Sequence, residues 1–159
     1  MTPRRARKTV WRLALVLALG FGGPVLAEKK PVEVTGDRFT VDEAARTATF
    51  EGRVVLKQKG LDMTARKVTV TYGAGGPSDM VSMVATGNVC IVLPDQTGVG
   101  DRADYDPKTA LMRLTGHVKV TNESGTVEAE YMLIDLNTNK TQFSAAGGGR
   151  VRAVFTPEN

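Results

Sequence analysis

The chain has 159 residues, with 21 Lys plus Arg against 17 Asp plus Glu, one His and one Cys. That is enough for one modest domain, and a single Cys excludes a disulfide framework. Residues 1–27 hold Arg4, Arg5, Arg7, Lys8 and Arg12 and no acid, so the rest carries 16 cationic against 17 acidic side chains, a balance of −1. The electrostatic footprint of a nucleic-acid partner is therefore missing, and none is expected.

The first segment is a basic stretch followed by the apolar or small run Leu13 to Phe21, a Gly22-Gly23-Pro24 break and Val25-Leu26-Ala27. This is the pattern of a secretory signal peptide with cleavage after Ala27. Nine residues at ~1.5 Å rise reach only ~14 Å, short of a ~30 Å hydrocarbon core, which argues against a membrane span. Residues 28–159 are expected to form a single exported domain.

That domain is a repeat. A small residue followed by a charged or polar pair recurs as Gly36-Asp37-Arg38, Ala65-Arg66-Lys67, Gly100-Asp101-Arg102 and Ala129-Glu130-Tyr131. A second column recurs as Gly52, Gly87, Gly116 and Gly149. Self-similarity at such a period marks a stacked architecture. The longer step between the second and third units is taken up by Gly73-Ala74-Gly75-Gly76-Pro77-Ser78-Asp79, a turn-rich insertion.

Alternating positions after each column are apolar. From the small-residue column they are Phe39 and Val41, Val68 and Val70, Ala103 and Tyr105, then Met132 and Ile134. From the glycine column they are Val54 and Leu56, Val89 and Ile91, Val118 and Val120, then Val151 and Ala153. Period two with β-branched enrichment is the half-buried strand signature, so the domain reads as all β. Val34, Met63 and Val127 precede the small column with the opposite parity, which calls for a bulge or bend at that column. Asp42, Asp106 and Asp135 each lie six residues past it and open turns. Units of strand, turn and strand are expected to stack so that the columns align into two inner walls, with parallel and antiparallel stacking both open.

No catalytic constellation is present. His117 falls in the outward column with Arg53, Asn88 and Arg150 and reads as a solvated surface group; Cys90 has no base beside it in any rung and reads as a passive thiol. Asp101, Asp104 and Asp106 lack the loop glycine and terminal Glu of a calcium loop, so no metal is expected, and no cofactor. Gly147-Gly148-Gly149 has no following helix to supply amides to a phosphate and reads as a bend before the last strand. No carboxylate pair in one rung suits a glycan hydrolase.

The inner face is the unusual feature. Phe50, Leu114 and Phe143 join the residues above in a line of equivalent apolar rungs, a surface suited to acyl chains because each buried CH₂ contributes roughly 0.8 kcal/mol. Val32-Glu33-Val34 and Val151-Arg152-Ala153-Val154-Phe155 are strand-like ends on which a partner can dock by strand addition. A packed β-scaffold that only joins proteins through those edges is the alternative.

Gly36 to Asp42, Ala48 to Val54, Ala85 to Val89, Gly100 to Asp106 and Gly149 to Phe155, in that order and phase, resemble the OstA-like family over about residues 31 to 156. The resemblance implies a V-shaped, open, antiparallel β-jellyroll in the periplasm that shields the lipid A acyl chains of lipopolysaccharide. The apolar contacts would be Phe39, Val41, Phe50, Val54, Leu56, Met63, Val68, Val70, Val89, Ile91, Tyr105, Leu114, Val118, Val120, Met132, Ile134 and Phe143. It also implies an inner-membrane partner of like fold at Val32, Glu33 and Val34, an outer-membrane assembly protein at Val151, Ala153 and Phe155, and head-to-tail stacking of copies.

Overall fold

A computed structural model describes residues 32–157, so the signal-peptide segment lies outside the described residues. Ten strands follow in order: β1 Glu33–Thr35, β2 Arg38–Asp42, β3 Thr47–Gln58, β4 Leu61–Tyr72, β5 Met80–Val92, β6 Gln96–Asp106, β7 Leu111–Asn122, β8 Gly125–Asp135, β9 Lys140–Ser144 and β10 Arg152–Phe155. All join one sheet through antiparallel pairings, in the order β1-β3-β4-β5-β6-β7-β8-β10, with β2 also on β3 and β9 also on β8. Stacking is thus antiparallel throughout.

Every long strand is broken near its middle. The register shifts between Glu51 and Val54, Thr64 and Lys67, Thr86 and Val89, Val99 and Arg102, and Thr115 and Val118. On β3, β5 and β7 two residues stand at each shift, Gly52-Arg53, Gly87-Asn88 and Gly116-His117. Their neighbours β4, β6 and β8 oppose each pair with one residue, Arg66, Asp101 or Glu130. Two against one is a β-bulge, and it bends the strand that carries the extra residue. The bends line up into a fold line that divides the sheet into two walls. Wall I holds β2, the N-terminal halves of β3, β5 and β7, the C-terminal halves of β4, β6 and β8, and β9. Wall II holds β1, the complementary halves, and β10. The short strands are one long strand interrupted at the same line, at Gly36-Asp37 on one end and at Ala145 to Gly149 on the other.

The bulges explain the glycine column. Gly52, Gly87 and Gly116 have φ of 75, 82 and 77°, and the following Arg53, Asn88 and His117 have φ of 45, 52 and 51°. Two consecutive left-handed residues turn the corner, and the first admits no Cβ. A Cβ on Gly87 would stand 2.8 Å from the Cβ of Arg66, and one on Gly52 would stand 2.9 Å from that of Asp37. Gly149 does not share this geometry; it lies in the loop between β9 and β10, where its N–H donates to Ala146 O at 2.9 Å.

The wall I hairpins are closed as their sequence suggests. Asp42 Oδ1 accepts from Ala45 N at 2.9 Å, Asp106 Oδ1 from Lys108 N at 2.8 Å, and Asp135 Oδ1 from Asn137 N at 2.9 Å. Arg46, Ala110 and Asn139, each four residues after its Asp, take positive φ of 52–54°. The backbone hydrogen bonds to Asp106 and Asp135 hold both carboxyls below the usual range, with side-chain bonds from Thr138 leading at Asp135. The Gly73 to Asp79 insertion is a compact tip, tied by Gly73 N to Asp79 O at 2.8 Å and Asp79 N to Gly76 O at 2.8 Å.

Gly87→Ala is expected to destabilise the protein by ~2–3 kcal/mol in urea unfolding, since strain and a clash with a fixed Cβ add. Gly60→Ala, at φ 83° with nothing within 4 Å of its new methyl, is expected to lose only ~1 kcal/mol.

Candidate functional site

Registry carries the apolar positions across the whole sheet. On wall I one ladder runs Phe39–Phe50–Val68–Ala85–Ala103–Leu114–Met132–Phe143 and the next runs Val41–Ala48–Val70–Met83–Tyr105–Met112–Ile134–Thr141. On wall II a third runs Val34–Leu56–Met63–Ile91–Gly98–Val120–Val127–Ala153. Nearer the fold line Val54 faces Ala65, Val89 faces Gly100 and Val118 faces Ala129. All seventeen residues expected on the inner face occupy these ladders.

Their exposure differs sharply along the stack. Val54, Leu56, Met63, Val68, Val89, Ile91, Leu114, Val118, Val120, Met132 and Ile134 are 0–4% exposed and belong to one packed cluster drawn from both walls. Phe50, Val70, Tyr105 and Phe143 are partly buried against it. The walls meet where side chains vanish: a Cβ on Gly98 would touch Leu114 and Met132 at 3.6 Å, and one on Gly100 would press on Leu114 at 2.8 Å. The centre is therefore closed in this structure.

The ends are open. Phe39 is 56% and Val41 42% exposed, and the Phe39 ring lies over Phe50 with centroids 4.5 Å apart. At the other end Phe155 is 67% exposed, with Val151 and Val154 also exposed. Val34 is partly buried on Leu56, whereas Val32, Glu33 and Ala153 are exposed. Among the described residues β1 and β2 meet only β3, and β9 and β10 meet only β8, so each end presents two strand edges. The edges at β2 and β9 had no signal beyond their alternation.

Charge pins these ends. Glu51 on β3 lies 3.9 Å from Arg38 of β2 and 3.1 Å from Lys67 of β4; Glu128 on β8 lies 3.8 Å from Lys119 of β7 and 3.4 Å from Arg152 of β10. One carboxylate bracketed by two cations across three strands favours a single register. At the fold line Arg53 chelates Asp37, with Nη2 at 2.6 Å and Nε at 3.1 Å, and the Asp37 N–H donates to Glu51 O and Gly52 O. The corner between β1 and β2 is thereby stapled to the β3 bulge.

Ladder members missed from the sequence are Ala48, Met83, Ala85 and Met112. They sit two or four residues before the glycine column, so reading backwards from Gly52, Gly87 and Gly116 finds them. Tyr72 was also missed. It is 5% exposed, and its hydroxyl is buried without a hydrogen-bond partner among the described residues. Such a group costs about 1–3 kcal/mol. Burial, then the nearby Glu43 and Asp42 carboxylates, push its pKa up.

The acidic run is dispersed: Asp101 pairs with His117, Asp104 takes Arg102 at 2.6 Å, and Asp106 caps its turn. Cys90 is half-buried on the outer face, in a shallow groove also lined by Asp101 and His117. His117 Nδ1 lies 2.7 Å from Asp101 Oδ2, both on the surface, and this hydrogen bond holds the imidazole pKa above 6.5. Because the folded value is raised, the pair's stabilisation is fully present below the unfolded pKa and is lost as pH rises through the folded one. An NMR titration of His117 is expected to give a pKa above 6.5 that falls towards 6.5 in Asp101→Asn.

Residues 33–140 match the family model described as LptA/(LptD N-terminal domain) LPS transport protein. An uncharacterized protein of Rhizobium meliloti (strain 1021) is 24% identical over 144 residues, covering 86% of this chain and 77% of that one. Among solved structures, the fold is similar to the crystal structure of LptH from Pseudomonas aeruginosa, described as the LptA homologous periplasmic component of the conserved lipopolysaccharide transport device. The TM-score is 0.69 at 22% identity, over 80% of this chain and 96% of that one. Two walls folded along repeated bulges, together with a family match over most of the described residues, place this chain in the LptA/LptD N-terminal domain family of LPS transport proteins.

Proposed function

We propose that this chain is a periplasmic bridge that shields the acyl chains of lipopolysaccharide between its two walls and passes the lipid along the stack. The observation that carries this is the set of in-register ladders, apolar at nearly every rung, running from one open end to the other. Each rung offers similar burial, so a chain can advance without a deep trap; a ten-carbon chain needs ~8 kcal/mol of burial along its route. The periplasmic setting of LptH and the signal-peptide pattern of residues 1–27 support the location.

Loading requires the walls to part. In this reading the walls hinge at the fold line, where paired left-handed residues already concentrate the bend. In this reading an inner-membrane protein of like fold pairs with β1 and β2, an outer-membrane assembly protein pairs with β9 and β10, and copies stack head to tail. Both ends supply unpaired edges flanked by exposed apolar side chains. The chemistry is non-enzymatic: no step needs more than burial and release.

The sealed centre favours a second reading, in which the sheet is a non-conducting adaptor that joins envelope proteins by its edges. Photocrosslinkers at Phe39, Phe50, Leu56 and Ile91 in exporting cells separate the two. Conduction predicts lipopolysaccharide adducts at all four, strongest at Phe39 and Phe50. Protein adducts alone, with none to lipid, would establish the adaptor. Export with cleavage after Ala27 predicts a mature protein beginning at Glu28, read by N-terminal sequencing.

A further inference from the structure

Tyr72 closes β4 at the rim of wall I, where its backbone N–H donates to Arg46 O at 3.0 Å. Its ring shares the inward parity of Val68 and Val70. With Ala48 it is buried outside the main cluster, and Ala48 pairs with the exposed Val41. Glu43, Asp42 and Arg46 at the β2–β3 turn all act on the hydroxyl, so it lies at the rim beside the turn that follows the exposed Val41. Among the described residues it is the buried side-chain polar atom that lacks a partner.

Where only apolar bulk is needed, phenylalanine fills the same space without an unsatisfied hydroxyl. A phenol donates readily to a carbonyl or hydroxyl oxygen. A bound acyl chain brings such an oxygen with it, at the ester or amide that links it to its headgroup. We infer that the Tyr72 hydroxyl is an anchor in the mouth beside β2, donating to a carbonyl or hydroxyl oxygen of an acylated amphiphile whose chain lies along Phe39–Phe50 and Val41–Ala48. The inference rests on the lipid-shielding function proposed above and adds one polar stop to an otherwise uniform apolar path. Because the hydroxyl is satisfied only when the mouth is occupied, it biases the equilibrium towards the loaded state.

The test compares wild type with Tyr72→Phe in the purified protein, by displacement of the fluorophore 1-N-phenylnaphthylamine. Two probes are used: rough lipopolysaccharide, and tetradecyltrimethylammonium, whose alkyl chain carries no acceptor oxygen. Tyr72→Phe is expected to raise the lipopolysaccharide Kd roughly five-fold, the size of one hydrogen bond, with the alkyl Kd unchanged and Tm unchanged or higher. Equal weakening for both probes would reduce Tyr72 to packing and overturn the anchor. So would an unchanged lipopolysaccharide Kd, or a fall in Tm, which marks an internal partner for the hydroxyl. Glu43→Gln is expected to change none of these readings; if it reproduces the loss, the turn carboxylate is the partner and the anchor is wrong. Wild type that binds neither probe refutes lipid shielding itself.

Discussion

Everything in this molecule follows from a bulge repeated in register. A sheet whose strands alternate inward and outward can fold over on itself and keep one face inside only if each strand breaks its strict alternation at the crease. Here β3, β5 and β7 place three residues between consecutive inward side chains, as between Phe50 and Val54, whereas β4, β6 and β8 place two, as between Ala65 and Val68. That difference of one is the bulge. It turns a flat ribbon with one greasy face into two walls that share a lining, and stapling by Asp37 and Arg53 fixes the crease at its first rung.

The same geometry explains why the centre is shut and the ends are not. Inner rungs of the middle strands have a neighbour on each side and an opposing wall in front, and the small Ala85, Ala103, Gly98 and Gly100 let Leu114 and Met132 fill the gap. The edge strands have a neighbour on one side only, so Phe39, Val41 and Phe155 keep solvent-facing surface however well the rest packs. The proposed lipid-shielding role would need both properties. A wet, permanently open groove would expose hundreds of square ångströms of apolar surface, a liability in a free protein. A groove that is closed when empty and accessible at its mouths avoids this.

Much of this was legible in the sequence. The two columns and the alternation after them identify the strands, the crease and the inward face, because parity is a local property written in every residue. Asp42, Asp106 and Asp135 announce their turns for the same reason. The Asp101–His117 and Asp37–Arg53 contacts were not legible as contacts: each joins residues 16 apart, and only the bulge brings them to one corner. Nor was closure of the middle, since whether two apolar walls touch depends on the volumes of Gly98, Gly100 and Leu114 together. The orphan hydroxyl of Tyr72 is hidden for a different reason. In a strand pattern tyrosine counts as an ordinary β-former, and only burial reveals what its oxygen lacks.

Along the sheet each strand pairs only with its immediate neighbours. Strands repeat every ~4.8 Å, so one further hairpin of the same grammar would extend the sheet by ~10 Å and leave both ends as they are. Reach in such a molecule is a matter of counting hairpins, adjustable in whole steps by duplication or loss, while the cross-section of the two walls stays constant.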